Sequence, residues 1–213
     1  MKGLLFISHS GANIGLLEGI EFALKGGCRH IQLRAKGAAV VEVETAAWKA
    51  KALCEQYGGS LYVNDHVDVC LKVRAKGVHL GKSDMSPCEA RKRLGRDFLI
   101  GGTANTFEDI RRLNEEGVDY IGLGPFRFTS TKDRLSPLLG LEGYKQILEK
   151  CRIEGITLPI MAIGGIVLTD VPVIRAVGLA GIAVSSAILG ATDPVEETKA
   201  FCNALDVHAR EFA

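Results

Sequence analysis

The sequence has no CxxC pair, no histidine pair at metal-ligand spacing and no serine, histidine and aspartate set that reads as a hydrolytic triad. Thiolate metal centres, histidine-bound zinc and acyl-enzyme chemistry therefore have no support. Its cysteines (Cys28, Cys54, Cys70, Cys88, Cys151 and Cys202) are scattered, most of them in stretches of helical pattern. They read as small buried hydrophobes of a reduced chain. Net charge is only +1 over 213 residues, which leaves no long-range field for nucleic acid or an anionic membrane. Any anionic ligand must be held by local clusters. Long apolar runs are missing too. Leu4 to Ile7 gives way at once to Ser8-His9-Ser10-Gly11, too short for a signal-peptide core or a membrane span. The expectation is a cytoplasmic protein with small-molecule partners, no nucleic acid and no membrane.

What is present is an alternation. Short apolar runs near 4–8, 30–34, 60–64, 77–81, 98–102, 119–123, 159–163 and 181–185 are separated by longer amphipathic stretches. In the second such stretch Val43, Ala46, Ala47, Ala50, Leu53, Cys54 and Tyr57 form one apolar stripe at helical spacing. Ser86-Pro87-Cys88-Glu89 supplies an N-cap, a proline at the first helical position and a capping-box glutamate; Asp193-Pro194-Val195-Glu196 repeats it, and Thr106 with Asp109 is a weaker version. The lone tryptophan, Trp48, falls in a helix and is expected to cover core. Apolar content of 47% suffices for a full core. With no linker or low-complexity segment, the expected fold is α/β, a single (β/α)8 TIM barrel spanning 1–213 as one domain. A doubly wound open sheet uses the same alternation. It would concentrate functional residues at one switch point, whereas here they follow many strands.

Gln32 and Arg34 share the strand face opposite Ile31 and Leu33. With the apolar pair against the helices, Gln32 and Arg34 point inward near the mouth, where an arginine is costly unless it meets an anion or an internal carboxylate. Lys36 extends the positive cluster. Asn64-Asp65 and Asp84 follow neighbouring strands; two carboxylates suit Mg²⁺ bound with phosphate oxygens, although an aspartate after a strand is also a common helix cap. Asp68 reads equally well as a solvated helix residue. Gly124 to Lys132, with Thr129 and Thr131, opens a long polar loop of the kind that serves as a lid or binding loop, or simply as solvated surface. Ile163-Gly164-Gly165-Ile166 and Gly181 to Ser186 end the last two runs, the usual phosphate region of a barrel, with a tight turn as the plain alternative for the glycine pair. His79 reads as a hydrogen-bonded core residue rather than a ligand, and His9 carries little weight as a residue of the mouth.

These segments together resemble thiamine phosphate synthases (thiamine-phosphate pyrophosphorylases) through nearly the whole chain: IQLRAK at 31–36, VNDHVD at 63–68, GVHLGKSD at 77–84, DYIGLGPFRFTSTK at 119–132, AIGGI at 162–166 and AVSSAI at 183–188. The resemblance implies a Mg²⁺-dependent transferase joining 4-amino-2-methyl-5-hydroxymethylpyrimidine pyrophosphate to thiazole phosphate, or its 2-carboxy form, with release of pyrophosphate. By motif, Gln32 would bind the aminopyrimidine. Arg34, Lys36, Asn64 and Lys132 would hold the pyrophosphate, with Thr103 near it where the family usually has serine. Arg34, Lys36 and Lys132 carry the catalytic charge, and Asp65 and Asp84 bind Mg²⁺. Thr129 and Thr131, with backbone around Gly165, Val184 and Ser185, would receive the thiazole phosphate.

The chain departs from that pattern at Lys82 (commonly glutamine), at Asn105 (often histidine) and at Ile7-Ser8-His9, which lacks the usual Thr-Asp ending. The rivals are the related thiazole tautomerase, whose catalysis needs a histidine in the segment matching Thr103–Thr106, a non-catalytic thiamine-pathway binding protein, and another phosphate-binding barrel such as a sugar-phosphate epimerase. Exposed barrel helices leave room for a homodimer, though no helix announces an interface.

Overall fold

The structure, a computed structural model, describes residues 1–10, 14–128 and 137–211, with side chains up to 206. Each apolar run becomes a parallel strand: β1 (Gly3–Ile7), β2 (His30–Leu33), β3 (Ser60–Asn64), β4 (Gly77–Leu80), β5 (Leu99–Ala104), β6 (Tyr120–Leu123), β7 (Ile160–Ile163) and β8 (Gly181–Val184). They pair in sequence order, and β8 returns to β1 with Gly3 opposite Gly181 and Phe6 opposite Val184, so the sheet closes on itself. The fold is a TIM barrel. The open-sheet alternative falls, because the two would-be edge strands bond to one another.

Helices α1 (Leu16–Lys25), α2 (Val40–Gln56), α3 (Val67–Val73), α4 (Pro87–Leu94), α5 (Phe107–Glu115), α6 (Gly140–Ile153), α7 (Val171–Ala176), α8 (Ser186–Leu189) and α9 (Pro194–Glu211) connect and surround the strands. Their starts follow the local chemistry: Ser86 Oγ accepts from the Glu89 N–H at 3.2 Å, Thr106 and Asp109 bond reciprocally, and Asp193 Oδ1 accepts from Val195 and Glu196. No described helix is long and apolar enough to cross a membrane.

Alternation along the strands makes two apolar layers. Outward residues such as Phe6, Ile31, Val63 and Ile121 pack against the helices, each fully buried side chain contributing about 1.5–3 kcal/mol. On α2 the buried stripe is Val43, Ala47, Ala50 and Cys54, small residues that let the helix lie close to the barrel. Trp48 is a correction. It lies off that stripe, 47% exposed, with the Lys51 ammonium 5.9 Å from its ring centroid. Cys88 likewise is exposed, while Cys28, Cys54, Cys70 and Cys151 are buried as expected. Inside the barrel Leu5, Tyr62, Tyr120, Met161 and Ala183 fill the lumen. Their polar tips find partners, Tyr62 Oη at 3.4 Å from His30 Nδ1 and Tyr120 Oη at 3.2 Å from His79 Nδ1. That plug floors the C-terminal mouth.

Candidate active site

Above the plug lies a cavity of about 110 Å³ at the C-terminal ends of the strands. The period-two rule places Gln32 inward, and Arg34 follows just past the end of β2. Asn64 ends β3, and Thr103 sits in the last part of β5, which runs further than the pattern around 98–102 implied. Gly165, Val184 and Ser185 line the same space from the ends of β7 and β8. Lys36 is exposed on the loop beyond Arg34 and does not line it. Thr129, Thr131 and Lys132 lie outside the described residues.

Gln32 is 2% exposed. Its Nε2 donates to Asn64 Oδ1 at 2.6 Å, and its Oε1 is buried with no hydrogen-bond partner among the described residues. An unmet buried acceptor of this kind is costly unless a ligand supplies a donor.

Neither aspartate is a helix cap. Asp65 precedes His66, the N-cap of α3, and holds a positive φ of 66°, while Ser86 caps α4 in place of Asp84. The left-handed conformation costs a non-glycine residue about 1 kcal/mol and turns Asp65 toward Asp84. Burial, then a hydrogen bond to Asp84 and its charge, push the Asp65 carboxyl up to about 7, against the opposing pull of Arg34 and Asn64. Asp84 Oδ2 also accepts from the Gly81 N–H at 2.7 Å. It borders a second hollow of about 90 Å³ that shares Thr103 with the first. No group of three or more histidine, cysteine or acidic side chains able to hold a metal occurs among the described residues. Two carboxylates crowded together suit a hard cation that keeps most of its shell for water and phosphate oxygens. Asp68 is solvated, paired with Arg93 at 3.1 Å.

The segment after β6 is strapped to the end of β7. Phe126 N–H donates to the Ile163 carbonyl at 2.8 Å and Arg127 N–H to that of Gly164 at 3.0 Å. Arg127 Nη1 and Nη2 grip Asp170 at 2.6 and 2.8 Å, and Nη1 also reaches the Gly165 carbonyl at 2.9 Å. Glycine is required under this strap. At Gly165, with φ of 68°, a Cβ would stand 2.5 Å from Arg127 Cγ and 2.8 Å from the Phe128 carbonyl oxygen.

The departures find places. Lys82 turns to Asp109 at 2.6 Å and so adds no free charge beside Asp84. Asn105, 9% exposed, donates from Nδ2 to the Gly124 carbonyl and holds the turn after β6. His9 does reach the mouth: it lines the cavity with Nδ1 at 2.7 Å from Ser185 Oγ. His79 is the hydrogen-bonded histidine anticipated, with Nε2 2.9 Å from Thr103 Oγ1, but it too lines the cavity. The alternation Val78-His79-Leu80 carried that signal. The His9–Ser185 contact, 176 residues apart in sequence, had none.

Residues 4–188 match the family described as thiamine monophosphate synthase. A thiamine-phosphate synthase of Bacteroides fragilis is 53% identical over 203 residues, spanning 95% of this chain and 100% of that one. One from Phocaeicola vulgatus is 52% identical over 200 residues, spanning 94% and 96%. Among solved structures, a thiamine phosphate pyrophosphorylase from Pyrococcus furiosus superposes with a TM-score of 0.84 at 30% identity, covering 97% of this chain and 96% of that one. The strand-end motifs, the closed barrel and these likenesses agree, and the chain belongs to the thiamine monophosphate synthase family.

Proposed function

We propose that this chain is the transferase that couples 4-amino-2-methyl-5-hydroxymethylpyrimidine pyrophosphate to thiazole phosphate, giving thiamine phosphate and pyrophosphate. The observation that carries the reading is the Asp65–Asp84 carboxylate pair beside a cavity that also holds Arg34 and the unmet acceptor of Gln32. Gln32 Oε1 accepts the pyrimidine amine, and Asn64 keeps the amide from turning over. Arg34 meets the pyrophosphate as it takes the electrons of the breaking C–O bond. The thiazole nitrogen then gives its lone pair to the stabilised methylene cation, so no side-chain nucleophile or external base is needed. Lys36 and Lys132 add charge around the leaving group, Thr103 a hydroxyl, and Thr129 and Thr131 belong to the thiazole-phosphate side with the backbone of Gly165, Val184 and Ser185.

Asp65 and Asp84 fit Mg²⁺, which when bound would neutralise charge on the departing pyrophosphate. Removal of one such electrostatic group costs about 10²–10³-fold in rate. The tautomerase alternative is disfavoured by Asn105, whose amide is committed to the Gly124 carbonyl. As a biosynthetic enzyme acting on small molecules, the chain belongs in the cytoplasm.

The test is an assay with each component omitted in turn, the product oxidised to thiochrome and read by fluorescence. Signal should require both substrates and Mg²⁺. A folded protein giving none with either the plain or the 2-carboxy thiazole would overturn the reading, and thiazole isomerisation would be assayed next.

A further inference from the structure

His9 occupies a position where this chain departs from the family pattern, and the hydrogen bonds around it fix its tautomer. Ser185 Oγ donates its only proton to the Ile7 carbonyl. Its contact with His9 Nδ1 at 2.7 Å is therefore one in which Ser185 accepts and Nδ1–H donates. In the neutral ring the proton is thus at Nδ1, and Nε2 carries a bare lone pair with no partner among the described residues.

The surroundings are cationic. Among the described residues lining the cavity there is no carboxylate. Arg34 is the charged group facing His9, from the end of β2, and His79 of β4 is the other titratable side chain on the cavity; the ends of β7 and β8 bring none. Burial, and then Arg34, hold the imidazolium below its ordinary range. An entering dianion reverses the second of these effects and supplies Nε2 with an acceptor.

We infer that His9 is a binding residue for the phosphate of the thiazole substrate, keeping Nδ1 on Ser185 while Nε2 takes up a proton and donates it to a phosphate oxygen. The inference rests on the function proposed above. The sign follows from linkage: a ligand that raises the pKa of His9 binds with uptake of a proton. Its affinity is full below the pKa of the free protein and falls as pH rises toward that of the complex.

The test uses the whole enzyme with thiazole phosphate as the varied substrate. His9→Asn keeps an N–H donor where Nδ1 stands, preserving the bond to Ser185, and deletes Nε2. Near pH 6 its KM for thiazole phosphate should be about tenfold above wild type, the worth of one charge-assisted hydrogen bond. KM for the pyrimidine pyrophosphate should not change. The wild-type advantage should shrink as pH rises toward 8, and calorimetry in two buffers of different ionisation enthalpy should show proton uptake lost in the variant. If His9→Asn matches wild type at every pH while His9→Ala is impaired, His9 merely props Ser185, and the inference fails while the function stands. If wild type makes no thiamine phosphate, the function reading fails first and this inference with it.

Discussion

Gln32 donates to Asn64 Oδ1 at 2.6 Å, and that bond commits the other end of the same amide, Oε1, to a buried position with no partner among the described residues. An acceptor so placed costs about 1–3 kcal/mol unless a donor reaches it. It is the kind of stability sacrifice expected where a substrate donor completes the network.

Replacing Gln32 with methionine keeps the side-chain volume and removes the unmet acceptor. The variant should melt within a few degrees of wild type, yet its KM for the pyrimidine pyrophosphate should rise about 10–100-fold, as when a site loses a polar contact to its substrate. Thermal melts and steady-state kinetics on one preparation check both halves. A large loss of stability with unchanged KM would make Gln32 a structural residue.

The Asp65–Asp84 pair gives a prediction of opposite signs. Burial, then a hydrogen bond to Asp84 and its charge, raise the Asp65 carboxyl to about 7, so relieving the crowding with Asp84→Asn should leave the metal-free protein no less stable than wild type. With one ligand gone, the Mg²⁺ concentration for half-maximal rate should rise at least about tenfold, with turnover down about 10²–10³-fold. A Mg²⁺ titration reads this directly; an unchanged requirement would remove Asp84 from the metal site.

Arg127 grips Asp170, which is 8% exposed, and ties the described end of the β6 loop to Gly165. Arg127→Ala leaves that carboxylate without its cation, held among the described residues only by the Val167 N–H, and should cost about 1–2 kcal/mol, between the exposed-pair and buried-pair ranges because Arg127 is itself about half exposed. Arg127→Lys keeps the charge but cannot form the fork and should fall between. Urea denaturation ranks the three; equal midpoints would show that the strap adds nothing to stability.

The barrel could be read because each strand is a short apolar run bounded by polar residues, and the starts of α4, α5 and α9 carry their own cap chemistry. Gln32 and Arg34 could be placed because side chains alternate along a strand; His79 reads from its apolar strand only as a core histidine, although the same alternation turns it toward the cavity. Trp48 was misplaced because an amphipathic period locates a stripe only approximately, and a large ring one position off it is exposed. His9 on Ser185, Arg127 on Asp170 and Asn105 on Gly124 could not be read. Each pairs loop residues that follow different strands, and only the closed register sets how those loops meet. For the same reason nothing in the sequence shows that Asp109 takes up the charge of Lys82.

The most direct measurement follows thiamine phosphate and pyrophosphate together in wild type and Arg34→Ala, with circular dichroism on both. Wild type should give equal amounts of the two products. Arg34→Ala should lose about 10²–10³-fold in rate with the fold unchanged. Wild-type turnover in the variant, or pyrophosphate released without matching thiamine phosphate, would contradict the proposed coupling.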